Sequence, residues 1–444
     1  CLWGTIVAFL LYLAVYPPES LCGRVLATCL VAIAPTARPE ASLFVPLVVV
    51  LVWIRTRIST CSNFQWFPAI LFGAFALSLL TLTAFRLAYF GYPLPNTYYA
   101  KVSPSLVYNL FSGARYAGKF LAESALISVF FLGLAVNAVL TFGSFFSSAR
   151  RSKPDVFGRI RGLLADPEPT VSVVALALFI MPILTGGDHF ALFRFYQPLF
   201  PVLCLWFVLS VGKIEQSGSL LRAARDHSLR TLTIFLVCMT WFLSSAYTTS
   251  WVSLRLKGSP IQHEFGIAQN GLFTGRKLGR LFRDLPDYPS IGVIVAGGIA
   301  RSYPGRIIDL MGLNTSFIAH FPGDRRGVKN HAAFEKEAFW AIEPDILLAS
   351  PPAEGQSANF SSQVLKGLLF EPRFGTTWRY GTLTSGTDPG AGFEAFYSTK
   401  FLRRMDKEER YRFEDTRIWT GKGWAPDCHG GKPKTSADGE QTPR

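Results

Sequence analysis

In this chain of 444 residues half are hydrophobic, only 17% are charged, and mean hydropathy is +0.28, proportions that exclude a water-soluble globule throughout. They fit a polytopic membrane protein with a soluble part attached, and the length gives room for two or three domain-sized units. A formal net charge of +14 would suggest nucleic acid in a soluble protein, but Lys and Arg here crowd short loops between apolar runs, so nucleic acid is not an expected partner.

In chain order, the first apolar run is Leu2–Tyr16, ending at Pro17-Pro18. Leu21–Ala34 and Ser42–Ile54 follow, each shorter than the ~20 residues that cross a bilayer core comfortably. The Pro-rich stretch between them carries Arg38 and Glu40. Two short helices meeting there would hold those charges against protein or water, although an ordinary turn with a surface ion pair has the same spacing. Phe67–Phe85 is a further span, followed by a long aromatic and polar loop, Leu87–Glu123, with Asn96, Tyr98, Tyr99 and Lys101. Ala125–Phe146, Val171–Leu184, Leu199–Val211 and Leu232–Tyr247 complete about eight apolar segments within residues 1–250.

Arg-rich loops at 55–63, 149–165 and 213–230 place those ends in the cytoplasm by the positive-inside rule. The loop at 86–124, the turn at 186–198 and the C-terminal part then share the outer face of a multi-pass plasma (inner) membrane protein. Residues 251–420 alternate short apolar runs (Ile291–Ala296 and Asp345–Ala349) with a helical pattern over Ala332–Ile342, which predicts a small extracytoplasmic α/β domain. Residues 421–444 contain too few apolar side chains to form a core and are expected to be a disordered tail. The fold class is thus mainly α, a transmembrane helix bundle with an α/β domain at its end.

The seven cysteines show no metal-ligand spacing, and no Walker loop, His-Glu-x-x-His or Gly-x-Ser-x-Gly is present. No cofactor is expected. A divalent ion has a single carboxylate, Asp188, to support it. Chemistry concentrates instead in Gly186-Gly187-Asp188-His189 and Arg194, a turn between two apolar runs. Charges at a membrane surface are costly unless paired or wetted, and mark function by default. Arg194 and Arg38 can hold a phosphate by charge-assisted bonds, and Asp188 can orient substrate or Arg194 itself. The alternative for Asp188 with Arg194 is a structural ion pair, and for His189 a supporting role. The tyrosines suit either a sugar surface or an interfacial aromatic belt.

Arg38-Pro39-Glu40, then Gly91-Tyr92-Pro93-Leu94-Pro95-Asn96-Thr97-Tyr98-Tyr99-Ala100-Lys101, then Gly186-Gly187-Asp188 with Arg194 and Pro198, resemble in order the GT-C polytopic glycosyltransferases. Within that class they resemble the terminal arabinofuranosyltransferases of the actinobacterial cell wall and their uncharacterised bacterial relatives. Arg306–Asn314, Ile318-Ala319-His320, Asn330-His331 and Pro344-Asp345-Ile346 resemble that family's outer domain, with Asn330 where Gly is usual. The resemblance implies transfer of a sugar from a polyprenyl-phosphate donor to a cell-envelope glycan or lipid acceptor, and adds His331 to the substrate-binding set. It also implies a general-base Asp in an outer loop near the first transmembrane helix. That loop would lie upstream of Cys1, so the chain is expected to lack its N-terminal helices. Two other readings stand beside this one: a transporter or flippase of lipid-linked saccharide, and a non-catalytic membrane scaffold or remnant.

Overall fold

The computed structural model describes residues 2–58, 65–124, 127–135, 166–188, 193–216, 260–328, 332–353, 358–388, 390 and 392–427. The chain divides into two compact units: Cys1–Pro93 with Leu106–Val252, and Leu94–Ser105 with Ser253–Arg444. A short segment of the expected outer loop therefore belongs to the C-terminal unit.

The first unit is helical. Its elements are α1 (Leu2–Val15), α2 (Leu21–Ala37), α3 (Ala41–Ile58) and α4 (Phe67–Phe90), with α5 (Asn96–Lys101) assigned to the other unit. After it come α6 (Leu106–Glu123), α7 (Ile127–Ala135), α8 (Pro167–Leu184) and α9 (Leu199–Gln216). Among the described residues α3, α4 and α8 are long and apolar enough to cross a membrane. The pair α6 and α7, bent by 95°, makes a fourth if it is one broken span. α1, α2 and residues 199–210 of α9 are shorter apolar helices. Among the described residues, three or four of the expected segments are therefore of sufficient length. Residues 136–146 and the segment Leu232–Tyr247 lie outside the described residues.

Two local features differ from expectation. α2 continues through Pro35, and the break is only Arg38-Pro39-Glu40, where Arg38 is extended and its N–H reaches back to the Ala34 carbonyl. Pro35 sits one turn above the helix end, so the carbonyl its ring disturbs belongs to the same helix and the chain stops soon after. The expected long loop Leu87–Glu123 is mostly helix, because α4 runs on to Phe90, where Gly91 at φ +77° caps it, and α6 is amphipathic. Exposed Phe85, Tyr89 and Phe90 cluster at that end of α4, with the rings of Phe85 and Tyr89 stacked at 5.7 Å.

The second unit is built on one seven-stranded mixed sheet of order β2-β1-β3-β5-β4-β6-β7. It opens with α10 (Pro260–Leu281), β1 (Ile291–Val293), α11 (Gly297–Ser302), β2 (Ile307–Asp309), α12 (Ser316–His320), α13 (Lys336–Ile342) and β3 (Ile346–Leu348). β1 pairs in parallel with β2 and β3. After α14 (Phe360–Val364) and α15 (Pro372–Thr377), β4 (Trp378–Ser385) and β5 (Phe393–Ser398) extend the sheet antiparallel, followed by α16 (Thr399–Met405), β6 (Tyr411–Trp419) and β7 (Trp424–Pro426).

Side chains alternate across the sheet as the pleat demands. Ile291, Val293 and Tyr397 join Phe282 and Phe401 on one face, whereas Ile308, Leu347 and Phe396 join Phe339, Phe374 and Trp378 on the other. β7 corrects the expected tail of 421–444 at residues 424–426. Trp424 is buried there, stacks edge-on against Phe396 at 4.9 Å, and donates from Nε1 to the Leu369 carbonyl at 3.1 Å. One large aromatic ring outweighs a polar neighbourhood in deciding whether a short strand joins a sheet.

Candidate functional site

The first group of site residues forms around the end of α8. That helix stops at Leu184, and Gly186 and Gly187 follow at φ +85° and +70°, both left-handed. Gly187 donates to the Pro182 carbonyl at 2.7 Å and Gly186 to that of Ile183 at 3.2 Å, so the pair closes the helix end as a two-glycine cap. A Cβ on Gly187 would also lie 2.5 Å from the Cβ of Tyr116. The same crossing is tight one turn along α6, where a Cβ on Gly113 would meet the Ile183 carbonyl oxygen at 2.2 Å. Backbone strain and lack of space both demand glycine there.

This cap aims Asp188 inward. Its side chain is 1% exposed, and it pairs with Nε of Arg194, whose side chain is 44% exposed. The chain returns through a turn held by aromatic stacking: Tyr196 is buried, lies 4.2 Å from Phe120 and 5.3 Å from Tyr116, and donates to the Phe179 carbonyl at 3.2 Å. Between these anchors Phe195 is flanked by two cations. The guanidinium carbons of Arg38 and Arg194 lie 5.3 and 5.4 Å from its ring centre. Arg38 in turn pairs with Glu40 at 3.7 Å, too long for a hydrogen bond. Arg38 Nε and Glu40 Oε2 are buried without hydrogen-bond partners, beside a cavity of about 20 Å³ lined by Trp3, Met181, Thr185 and Phe195 as well. That volume suits one water or one ligand oxygen.

Four residues separated by up to 156 positions in the sequence (Arg38, Glu40, Asp188, Arg194) are therefore gathered on one ring. Chemically, two guanidiniums with planar N–H donors suit an anion with several oxygens. Asp188 pairs with the Arg194 guanidinium, an arrangement that can hold that group in place.

The second group lies in the other unit. At β2's end Asp309 is buried, and its carboxylate accepts from the backbone N–H of Met311 and Asn314 at 3.0 and 2.9 Å and from Asn314 Nδ2 at 3.2 Å. Burial raises its pKa above the ordinary carboxylate value, while those hydrogen bonds act in the opposite sense. The loop it shapes carries Gly312 at φ +73°, and Asn96 Nδ2 donates to the carbonyls of Gly312 at 2.6 Å and Leu313 at 3.0 Å. On α5, the Tyr99 ring packs against that of His320 at 4.2 Å, tilted by 45°, and the Tyr99 carbonyl accepts from Arg325 Nε at 3.1 Å. Arg325 also donates to the carbonyls of Ala319 and Phe321 at 2.8 and 2.9 Å. Ala100 packs into the same small core as Ile318 and Ala319. Tyr98 meets Tyr99 edge-on at 5.7 Å and remains 42% exposed, and Lys101 closes the helix half-buried.

His189 and His331, both expected to bind substrate, lie outside the described residues. Sequence reasoning did not single out Phe195, Tyr116 or Arg325. Phe195 stood next to Arg194 and could have been found from that adjacency; Tyr116 and Arg325 carry no local signal, being one tyrosine in a helix and one of two neighbouring arginines. Among the described residues no group of three or more His, Cys, Asp or Glu side chains is placed to hold a metal ion. No family model, curated protein or solved structure matches the chain.

Proposed function

We propose that the chain is part of a membrane glycosyltransferase of GT-C type that moves a sugar from a polyprenyl-phosphate donor to a cell-envelope glycan or lipid acceptor. The observation that carries this reading is the pair of partly exposed guanidiniums, Arg38 and Arg194, flanking Phe195 at the ends of apolar helices. A phosphate attached to a lipid is the anion that suits two guanidiniums beside helices of this apolar composition. In the reaction the acceptor hydroxyl oxygen forms a bond to the anomeric carbon as the bond from that carbon to the phosphate oxygen breaks. The acceptor proton passes to a general base, and polyprenyl phosphate departs with the negative charge. Arg38 and Arg194 would hold that charge as it develops, the contribution that electrostatic preorganisation makes to leaving groups. Asp188 fixes Arg194, and Glu40 restrains Arg38.

The test is transfer from a polyprenyl-phosphate sugar in membranes holding the protein as the cell makes it. Arg194→Ala and Arg38→Ala are each expected to lower turnover by about 100-fold, the scale for losing one preorganised donor. Full activity in both would end the site assignment. The bend of 95° between α6 and α7 favours a second reading, because broken helices are what transporters use at their binding sites. Movement of the lipid-linked saccharide across the bilayer without transfer would select it.

A further inference from the structure

α10 is packed on one side only. Its glycines at 271, 275 and 279, spaced a turn apart, bring its backbone against α11: a Cβ on Gly275 would lie 2.1 Å from Ser302 Oγ, and one on Gly298 of α11 would lie 2.0 Å from the Ala268 carbonyl oxygen. Ser302 Oγ closes the crossing by donating to the Leu272 carbonyl at 2.9 Å. The opposite stripe, Phe265, Gln269, Phe273, Arg276 and Arg280, recurs at intervals of three and four residues, and every member is exposed. Phe265 is 69% and Phe273 57% exposed. No carboxylate stands on the stripe. Glu264 lies about 100° around the helix from Phe265. Neither Arg276 nor Arg280 has an acidic partner among the described residues. Lys277, at the stripe's edge, leans over the Phe393 ring at 5.7 Å.

Large aromatic side chains beside unpaired arginines are the composition of a helix that lies in a lipid headgroup layer, with rings toward the acyl chains and cations at the phosphates. The same chain carries helices able to cross a membrane, so a bilayer is tethered within its reach at high effective concentration. We infer that the exposed stripe of α10 binds an anionic lipid surface. The inference requires that the chain is membrane-embedded. It is independent of the reaction proposed above.

The experiment is hydrogen–deuterium exchange of the backbone over 262–276, with the full chain in nanodiscs of phosphatidylcholine alone or mixed with phosphatidylglycerol. Embedding is measured separately by retention in membranes washed at high pH. Exchange slower in the anionic discs, reversed by high salt and lost stepwise in Arg276→Gln and Arg280→Gln, by about five-fold per arginine, is the expected result. The double variant Phe265→Ser/Phe273→Ser should lose the protection at every lipid composition. Equal exchange in both discs, or protection that appears only with two copies per disc, overturns the inference while leaving embedding intact. A protein that washes off the membrane overturns both.

Discussion

Arg194 and Arg325 are the same residue type beside a carboxylate, in different units and in opposite surroundings. Arg325 is 6% exposed at its side chain, its donors reach three backbone carbonyls, and Glu335 lies 4.0 Å from Nη1. Arg194 is 44% exposed and anchored by a carboxylate that is itself buried. The first guanidinium fastens α5 and the loop after α12. The second pairs through Nε with that carboxylate and keeps part of its side chain in solvent. The two arginines differ in depth and in the partner that fixes them, backbone carbonyls in one case and a carboxylate in the other.

The comparison breaks most visibly at Arg325. Arg325→Ala removes bonds to three backbone carbonyls, that of Ala319 buried and those of Tyr99 and Phe321 partly so, and leaves Glu335 with Lys366 as its remaining partner. Loss of a buried charged partner costs about 3–5 kcal/mol, and thermal unfolding of the second unit should report it. If Arg325→Ala were neutral while Arg194→Ala destabilised, the contrast would be reversed. Next in size is Gly187→Ala. It combines a left-handed backbone with a Cβ 2.5 Å from Tyr116 and should cost about 2–3 kcal/mol. Gly91→Ala, left-handed at φ +77° with open space around it, should cost only about 1 kcal/mol. The difference between the two, read from unfolding in detergent, isolates the close approach that aims Asp188. Asn96→Ala comes third. Two hydrogen bonds to Gly312 and Leu313 vanish, at about 1–2 kcal/mol, and amide exchange across 310–314 should quicken.

Apolar runs gave the long helices away, since periodicity and length suffice when lipid or a helical core is the solvent. The spacing was equally plain for β1, β3 and α13. β4, β5 and β6 were not legible. Alternation is broken in two of them, since β5 buries four residues in a row and β6 buries only Tyr411, and α/β order had already been inferred from the earlier strands. Of the site, the charged members were readable because charge is rare in apolar stretches. Their meeting place was not: Phe195 between Arg38 and Arg194 depends on α2, α3 and the 193–198 turn converging, and no local pattern encodes that. Asn96 and Tyr99 illustrate a second limit. The motif was visible, but its bonds to Gly312, Leu313 and Arg325 span more than 200 positions, so a docking segment and a substrate loop look alike in sequence.

The smallest expected effect is a pH response of that docking segment. His320 packs against Tyr99, and burial, followed by the charge of Arg325, lowers its pKa below the ordinary 6.5. The unfolded chain then binds the proton more readily than the folded one. Stability from this residue is complete above about pH 6.5 and declines as pH falls from there toward the lower folded value. Asp309 acts in the other direction: its raised pKa gives stability at low pH that is lost as pH rises through the folded value. The two are separable because only His320 touches α5. Amide exchange over 96–101 should quicken between pH 7.5 and 5.5, modestly, since the imidazole is only partly buried. His320→Asn should flatten that response and leave exchange around Asp309 unchanged. An unaltered pH response in the variant would move the switch to another group and leave the Tyr99 contact as packing alone.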